Sequence, residues 1–157
     1  MTKVLFVCLG NICRSAMAQG ILETKSKQFG LNLIVDSAGT SNYHIGEAPD
    51  KRMQKKALEY EIDISDQQAR QFTSSDFDEF DFIFAMDTSN LNNLLKLAKK
   101  EQDKMKVKLF LEYTYPNQNK NVPDPYYGDE EGFEEVYQLL NDACGEFIFF
   151  LNNTKPI

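Results

Sequence analysis

Short apolar runs alternate with longer amphipathic stretches along this chain. Val4-Leu5-Phe6-Val7 is apolar at every position, as expected of a strand buried on both faces. Leu33-Ile34-Val35, Phe82-Ile83-Phe84-Ala85 and Val107–Leu111 predict three further strands. Between them, Ala16, Met17, Ile21 and Leu22 mark the face of a helix that runs to about Phe29 and stops at Gly30. Asp50 opens a second helix over residues 50–60, with Met53, Ala57 and Leu58 at helical spacing. Thr73–Phe80 reads as a short capped helix, and Asp87 caps another that carries Leu91, Leu94, Leu95 and Ala98. Phe133–Leu151 closes the chain as a helix, after a polar loop from Tyr113 to Gly132. Strands alternating with helices predict an α/β domain built on a parallel sheet. The loop is long for a compact domain, and loops of that length usually carry function or are disordered.

With 157 residues and no repeat or linker, the whole of residues 1–157 is expected to form one domain. Apolar residues make up 42% and charged residues 26%, which excludes a disordered tail or a disulfide-stapled miniprotein. The balance of 17 basic against 24 acidic residues leaves a net charge of −7, a poor match to nucleic acid, whose phosphates need a basic face. Taken alone, that charge also argues against anionic substrates. Cys8, Cys13 and Cys144 are too few, and odd in number, for a disulfide framework, so a reducing cytoplasmic setting is expected. Lys3, the run Val4–Gly10 and Ala16-Met17-Ala18 imitate a signal peptide, but Asn11 and Arg14 interrupt the pattern. The longest apolar run elsewhere, Phe147–Leu151, is far short of a membrane span.

Local composition changes the picture drawn from net charge. Ligands of open α/β sheets bind beyond the carboxyl ends of the strands. The first strand ends on Cys8, and Cys8-Leu9-Gly10-Asn11-Ile12-Cys13-Arg14-Ser15 leads directly into a helix. Such a turn aims successive N–H groups inward at the positive end of a helix dipole, which makes an anion cradle. Gly10 and Asn11 tolerate the left-handed backbone that a tight concave loop requires. Arg14 adds a planar fork suited to two oxygens of an oxyanion. Cys8 lies at the base, where the same donors favour the thiolate as nucleophile. The natural reaction of this set is attack on a bound phosphoryl group, giving a cysteinyl phosphate.

Expulsion of a leaving oxygen from phosphorus calls for a proton donor. Asp124, between Pro123 and Pro125, is presented on a stiffened segment within the long loop. From that segment alone it is either such a donor or a solubilising turn residue. Tyr43, Tyr126 and Tyr127 offer aromatic faces for a cleft or for packing.

Val4–Ser15 (VLFVCLGNICRS), Asp36–Thr40 (DSAGT), Met86–Leu91 (MDTSNL) and Pro123–Gly128 (PDPYYG) resemble, in order and spacing, the low-molecular-weight protein tyrosine phosphatases. The resemblance runs essentially end to end. It implies a flavodoxin-like three-layer fold with a four-stranded parallel sheet and helices on both faces. It implies protein-tyrosine phosphatase activity, extending to small aryl phosphates, with Cys8 as nucleophile, Arg14 as phosphate clamp and Asp124 as acid and then base. Leu9, Gly10, Asn11, Ile12, Cys13 and Ser15 match the loop around the phosphate. Asn11, Ser15 and Ser37 match its braces, with Ser15 also bonding the thiolate. Tyr43, Tyr126 and Tyr127 match the cleft walls. The partners implied are tyrosine-phosphorylated proteins and oxyanions, with no nucleic acid or membrane, no cofactor or metal, and a monomeric chain. Most members carry proline where this chain has Ala16, which bears on loop rigidity. The resemblance suggests that Cys13 forms a reversible disulfide with Cys8, and a small packing residue is the other reading. His44 is open between a solvated loop residue and a substrate contact, and Cys144 is expected in the core. Arsenate reductases share the fold and loop, but they need further cysteines near the third strand, and 82–90 has none.

Overall fold

The computed structural model describes residues 1–154. In chain order its elements are β1 (Thr2–Cys8), α1 (Arg14–Gln28), β2 (Leu33–Gly39), α2 (Lys51–Glu59), α3 (Asp76–Glu79), β3 (Phe82–Ala85), α4 (Thr88–Leu97), α5 (Glu101–Met105), β4 (Val107–Leu109), a 3₁₀ turn (Phe110–Tyr113) and α6 (Glu130–Asn153). All four strands are parallel, in the order β2-β1-β3-β4. Central β1 is buried on both sides, which is why Val4–Val7 carries no polar alternation. Its even residues Val4 and Phe6 join a core with Met17, Ile21, Met53, Phe110, Phe133, Leu140 and Phe147. Its odd residues Leu5 and Val7 join a second core with Phe77, Leu94 and Leu109. Helices therefore cover both faces, as the α/β reading requires.

The larger core is held by aromatic rings. Phe110 meets Phe6 edge-on at 4.8 Å between centroids, and Phe84 lies 5.0 Å from Phe110 and 5.1 Å from Phe147. Each such pair is worth about 0.5–1.5 kcal/mol beyond simple burial. Removing the Phe84 ring, central to this group, would cost about 3–5 kcal/mol.

Several boundaries differ from the expected ones for identifiable reasons. β2 continues through Asp36 and Ser37 to Gly39, because the whole segment stays paired with β1. β4 ends at Leu109, where the chain turns to put Phe110 into the aromatic cluster. The helix expected over Thr73–Phe80 is a single turn. α5 has no buried residue and so leaves no apolar periodicity to read. α6 begins at Glu130, a turn before Phe133, with the Asp129 side chain accepting from the Gly132 N–H.

The strand order reverses at β1, since β2 lies on one side of it and β3 on the other. A crevice opens there beyond the carboxyl end of β1. Residues 9–13 occupy that point.

Candidate active site

The loop after β1 is shaped by one left-handed residue and one glycine from a neighbouring strand. Asn11 has φ +59°, a conformation asparagine tolerates better than most residues. Its N–H is thereby turned to the Cys8 sulfur, 3.3 Å away. A β-carbon at Gly39 would stand 2.7 Å from the Leu9 carbonyl oxygen and 3.2 Å from the Asn11 nitrogen, so only glycine lets the end of β2 pass this close. Beyond it, the N–H groups of Thr40 and Ser41 donate to the carbonyls of Cys8 and Leu9, each at 2.9 Å.

A directed set of hydrogen bonds fixes the loop from behind. The Asn11 amide donates to Ser15 Oγ at 2.8 Å and to Ser37 Oγ at 2.9 Å, and its Oδ1 accepts from the Arg70 N–H at 3.1 Å. Ser37 passes its own proton to Gln19 Oε1 at 2.7 Å. Because Ser15 Oγ already accepts from Asn11, its single proton is free for the Cys8 sulfur, 3.0 Å away. Two donors thus converge on a buried sulfur, an arrangement that stabilises negative charge there. Arg70 is itself anchored, with a two-pronged ion pair to Asp76 at 3.0 Å and a further contact to Asp36 at 3.2 Å.

Arg14 opens α1 and is 3% exposed. Its Nη1 donates to Asp87 Oδ2 at 2.6 Å and to the Val122 carbonyl at 3.1 Å. Among the described residues Nε and Nη2 make no hydrogen bond, and Nη2 stands 3.7 Å from Asp124 Oδ2. Burial opposes the charge on Arg14, but Cys8, Asp87 and Asp124 together outweigh it and hold the guanidinium above its ordinary range. Asp87 divides its two oxygens, since Oδ1 caps α4 by accepting from the Asn90 N–H at 2.8 Å. Val122 in turn donates its N–H to the Met86 carbonyl at the end of β3. The long loop is therefore pinned beside the arginine just before Pro123-Asp124-Pro125.

A cleft of about 150 Å³ results, lined by Cys8, Leu9, Gly10, Ile12, Cys13, Arg14, Tyr43, His44, Asp124, Tyr126 and Tyr127. Residues far apart in the chain meet there, and Asn11, Ser15 and Ser37 stand behind the wall rather than in it. Asp124 Oδ1 accepts from the Tyr126 N–H at 3.0 Å, which turns the carboxylate within its own segment. Tyr127 is 93% exposed at the rim and meets Tyr126 edge-on at 4.9 Å. His44 Nδ1 donates to Glu47 Oε2 at 2.9 Å, and the ring stands 6.3 Å from that of Tyr126, at the cleft mouth. Burial first of all, then the charges of Asp50, Cys8 and Asp124, push the Cys13 thiol far up. Cys13 therefore stays protonated beside Cys8. Cys144 is fully buried on α6, and burial pushes its thiol up as well. Among the described residues, no three His, Cys, Asp or Glu side chains gather as a metal site would need, and no helix is long and apolar enough to cross a membrane.

Asp87, Gln19, Arg70 and the Val122 carbonyl were not anticipated as parts of this site. Only Asp87 carried a sequence signal, as a helix cap and as part of the Met86–Leu91 motif.

A parallel α/β sheet whose switch point holds a cysteine and an arginine in one amide-lined loop, with an aspartate facing them, defines a class of small phosphatases. The chain belongs to the low molecular weight phosphotyrosine protein phosphatase family, whose model matches residues 3–156. It is 43% identical to the low molecular weight phosphotyrosine protein phosphatase of Schizosaccharomyces pombe, over 94% of this chain and 97% of that one. Among solved structures it is similar to a protein tyrosine phosphatase from Entamoeba histolytica crystallised with Hepes in the active site (TM-score 0.92, 41% identity, 99% of this chain and 100% of that one). It is also similar to the Drosophila arginine phosphatase (TM-score 0.91, 32% identity, 98% and 100% of the two chains).

Proposed function

We propose that this phosphatase hydrolyses phosphotyrosine in proteins, and small aryl phosphates, through a cysteinyl-phosphate intermediate. One observation carries the reading: a sulfur that accepts from the Asn11 N–H and from Ser15 Oγ lies at the floor of the cleft that Arg14 and Asp124 also line. The phosphate is bound by the loop amides of residues 9–15 and by Arg14, whose Nε and Nη2 are the free donors. Cys8 Sγ attacks phosphorus, the bond to the aryl oxygen breaks, and protonated Asp124 gives its proton to the departing oxygen. Asp124, now a carboxylate, takes a proton from water as that water attacks phosphorus. The S–P bond breaks, releasing phosphate and restoring the thiolate. Tyr43, Tyr126 and Tyr127 form the walls against which an aryl group stacks.

The decisive experiment measures aryl-phosphate hydrolysis with and without vanadate, in the wild type and in two variants. Cys8→Ser is expected to abolish turnover while leaving vanadate binding measurable, and substantial residual turnover would remove Cys8 as nucleophile. Asp124→Asn is expected to slow phenyl phosphate far more than 2,4-dinitrophenyl phosphate, and equal losses would remove it as the acid. Phosphotyrosine and phosphoarginine peptides of matched sequence test the substrate assignment, with faster turnover of the phosphoarginine peptide, a phosphoramidate, overturning it.

Cys13 is the second thiol of the cleft and supports a redox role. Peroxide oxidises the Cys8 thiolate to a sulfenic acid, and the Cys13 thiol condenses with it to form a disulfide and release water. Cys13→Ser is expected to recover less activity than wild type after peroxide and then reduction, and equal recovery would leave Cys13 a packing residue. Three free, buried cysteines fit a monomer working in the reducing cytoplasm.

A further inference from the structure

The segment that presents Asp124 has little means of holding itself in place. Pro123 and Pro125 have no N–H to donate. Upstream it is fastened at Val122, between Met86 and Arg14. Downstream, among the described residues, the bond that ties it to the rest of the fold comes from Arg52 at the start of α2, whose Nη2 donates to the Tyr126 carbonyl at 2.8 Å. The same guanidinium lies 5.5 Å from the centre of the Tyr126 ring and 4.8 Å from that of Phe133, so it is sandwiched as well as bonded.

Arg52 is aimed by Asp50. That carboxylate caps α2 through the Arg52 N–H at 2.8 Å and holds the guanidinium at two points, Nε at 3.1 Å and Nη2 at 2.9 Å. The Asp50 N–H, finally, donates to the Ile12 carbonyl of the phosphate loop at 2.8 Å. A continuous polar path therefore runs from Ile12 through Asp50 and Arg52 to the Tyr126 carbonyl, and the Tyr126 N–H bonds Asp124 Oδ1 at 3.0 Å. Arg52 does not itself line the cleft, and reaches it only through Tyr126.

We propose that Arg52, held by Asp50, is a positioning residue that sets Asp124 over the leaving oxygen and keeps that setting in step with the phosphate loop. The proposal rests on the reading of Asp124 as the general acid. Its chemical signature follows from that role: displacement of the acid matters in proportion to how much the leaving group needs a proton.

The test compares Arg52→Met, which keeps an apolar stem against Phe133, with Arg52→Lys, which keeps the charge but cannot span Asp50 and the Tyr126 carbonyl together. Arg52→Met is expected to slow phenyl phosphate by about tenfold or more, since small misplacements of a catalytic group are costly, and 2,4-dinitrophenyl phosphate by less than about threefold. Vanadate affinity is expected to hold, because the Asp50 N–H reaches Ile12 without Arg52. Arg52→Lys should fall between, and Asp50→Asn, which retains the cap, should show the same selectivity more weakly. Added to Asp124→Asn, Arg52→Met should bring no further selectivity between the two substrates. Equal losses on both, or no loss on either, would overturn the positioning role. If Asp124→Asn itself showed no selectivity between leaving groups, the acid assignment would fail instead, so the two failures are distinguishable.

Discussion

Asp87 performs two tasks with separate oxygens, and a pair of substitutions separates them. In Asp87→Asn the remaining carbonyl still caps α4, because asparagine is as good a cap as aspartate, but the charge facing Arg14 is gone. A charge-assisted hydrogen bond contributes about 1.5–3 kcal/mol, and with its one oxygen on the Asn90 N–H the asparagine turns an NH2 towards Arg14, so the whole bond is lost at a cost of about 2 kcal/mol. Arg14 is nearly fully buried and retains the Val122 carbonyl and Asp124 as partners, which keeps the loss at that modest level. Asp87→Ala loses the whole charge-assisted bond and also the cap, itself worth about 1 kcal/mol, for a total of about 3 kcal/mol. Urea unfolding measures both. The functional counterpart is vanadate affinity: a guanidinium freed on its Nη1 side no longer presents Nε and Nη2 in one direction. At 1.4 kcal/mol per factor of ten, Asp87→Asn should weaken vanadate binding by up to about 25-fold. If Asp87→Asn matched wild type in both stability and vanadate affinity, the orienting role given to Asp87 would be wrong.

Three further outcomes follow from the geometry. Gly39→Ala places a methyl 2.7 Å from the Leu9 carbonyl, so the phosphate loop must shift, and kcat/KM should fall by about tenfold or more while the protein stays folded; unchanged kinetics would show that the loop yields freely. Above the unfolded-state thiol value of about 8.5 the buried Cys13 and Cys144 keep protons that the unfolded chain releases, so stability falls as pH rises. Cys144→Ala should make that alkaline decline shallower by about 1.4 kcal/mol per pH unit between pH 9 and 10, and an unchanged slope would contradict its burial. The acids are concentrated around Asp124, the proposed proton donor, with seven from Glu112 to Glu135 against Lys120 alone, so phosphopeptides with basic flanks should show higher kcat/KM at low salt than acidic ones; equal values would remove charge as a selector.

What could be read from the sequence divides along lines of chain distance. Cys8, Arg14 and their loop are contiguous, and strand, glycine, asparagine and helix each leave a local mark. Asp124 was legible because two prolines frame it. Arg70, Gln19 and Arg52 act on backbone or side-chain atoms brought near by the fold, and nothing in their own neighbourhoods announces it. Gly39 lies beyond the strand expected at Leu33–Val35, and its necessity becomes visible only when the Leu9 carbonyl lies against it. The start of α6 was placed a turn late because Glu130, Glu131 and Gly132 face solvent, leaving the first apolar mark at Phe133. The net charge of −7 points away from an anionic substrate, because a whole-chain sum does not register the backbone amides and the one arginine proposed to receive the anion.

The bonds that hold Asn11 reach to Ser37 and Arg70, and those that hold Arg14 reach to Asp87 and Val122. None of these partners is in place until β2, β3 and the loop before α6 have docked, and contacts of such wide separation carry the largest closure entropy. The loop after β1 is thus expected to become ordered only once these elements have docked during refolding. Activity reports completion of the whole sheet, and a truncated or partly folded chain, even with Cys8 through Ser15 intact, would be a silent one.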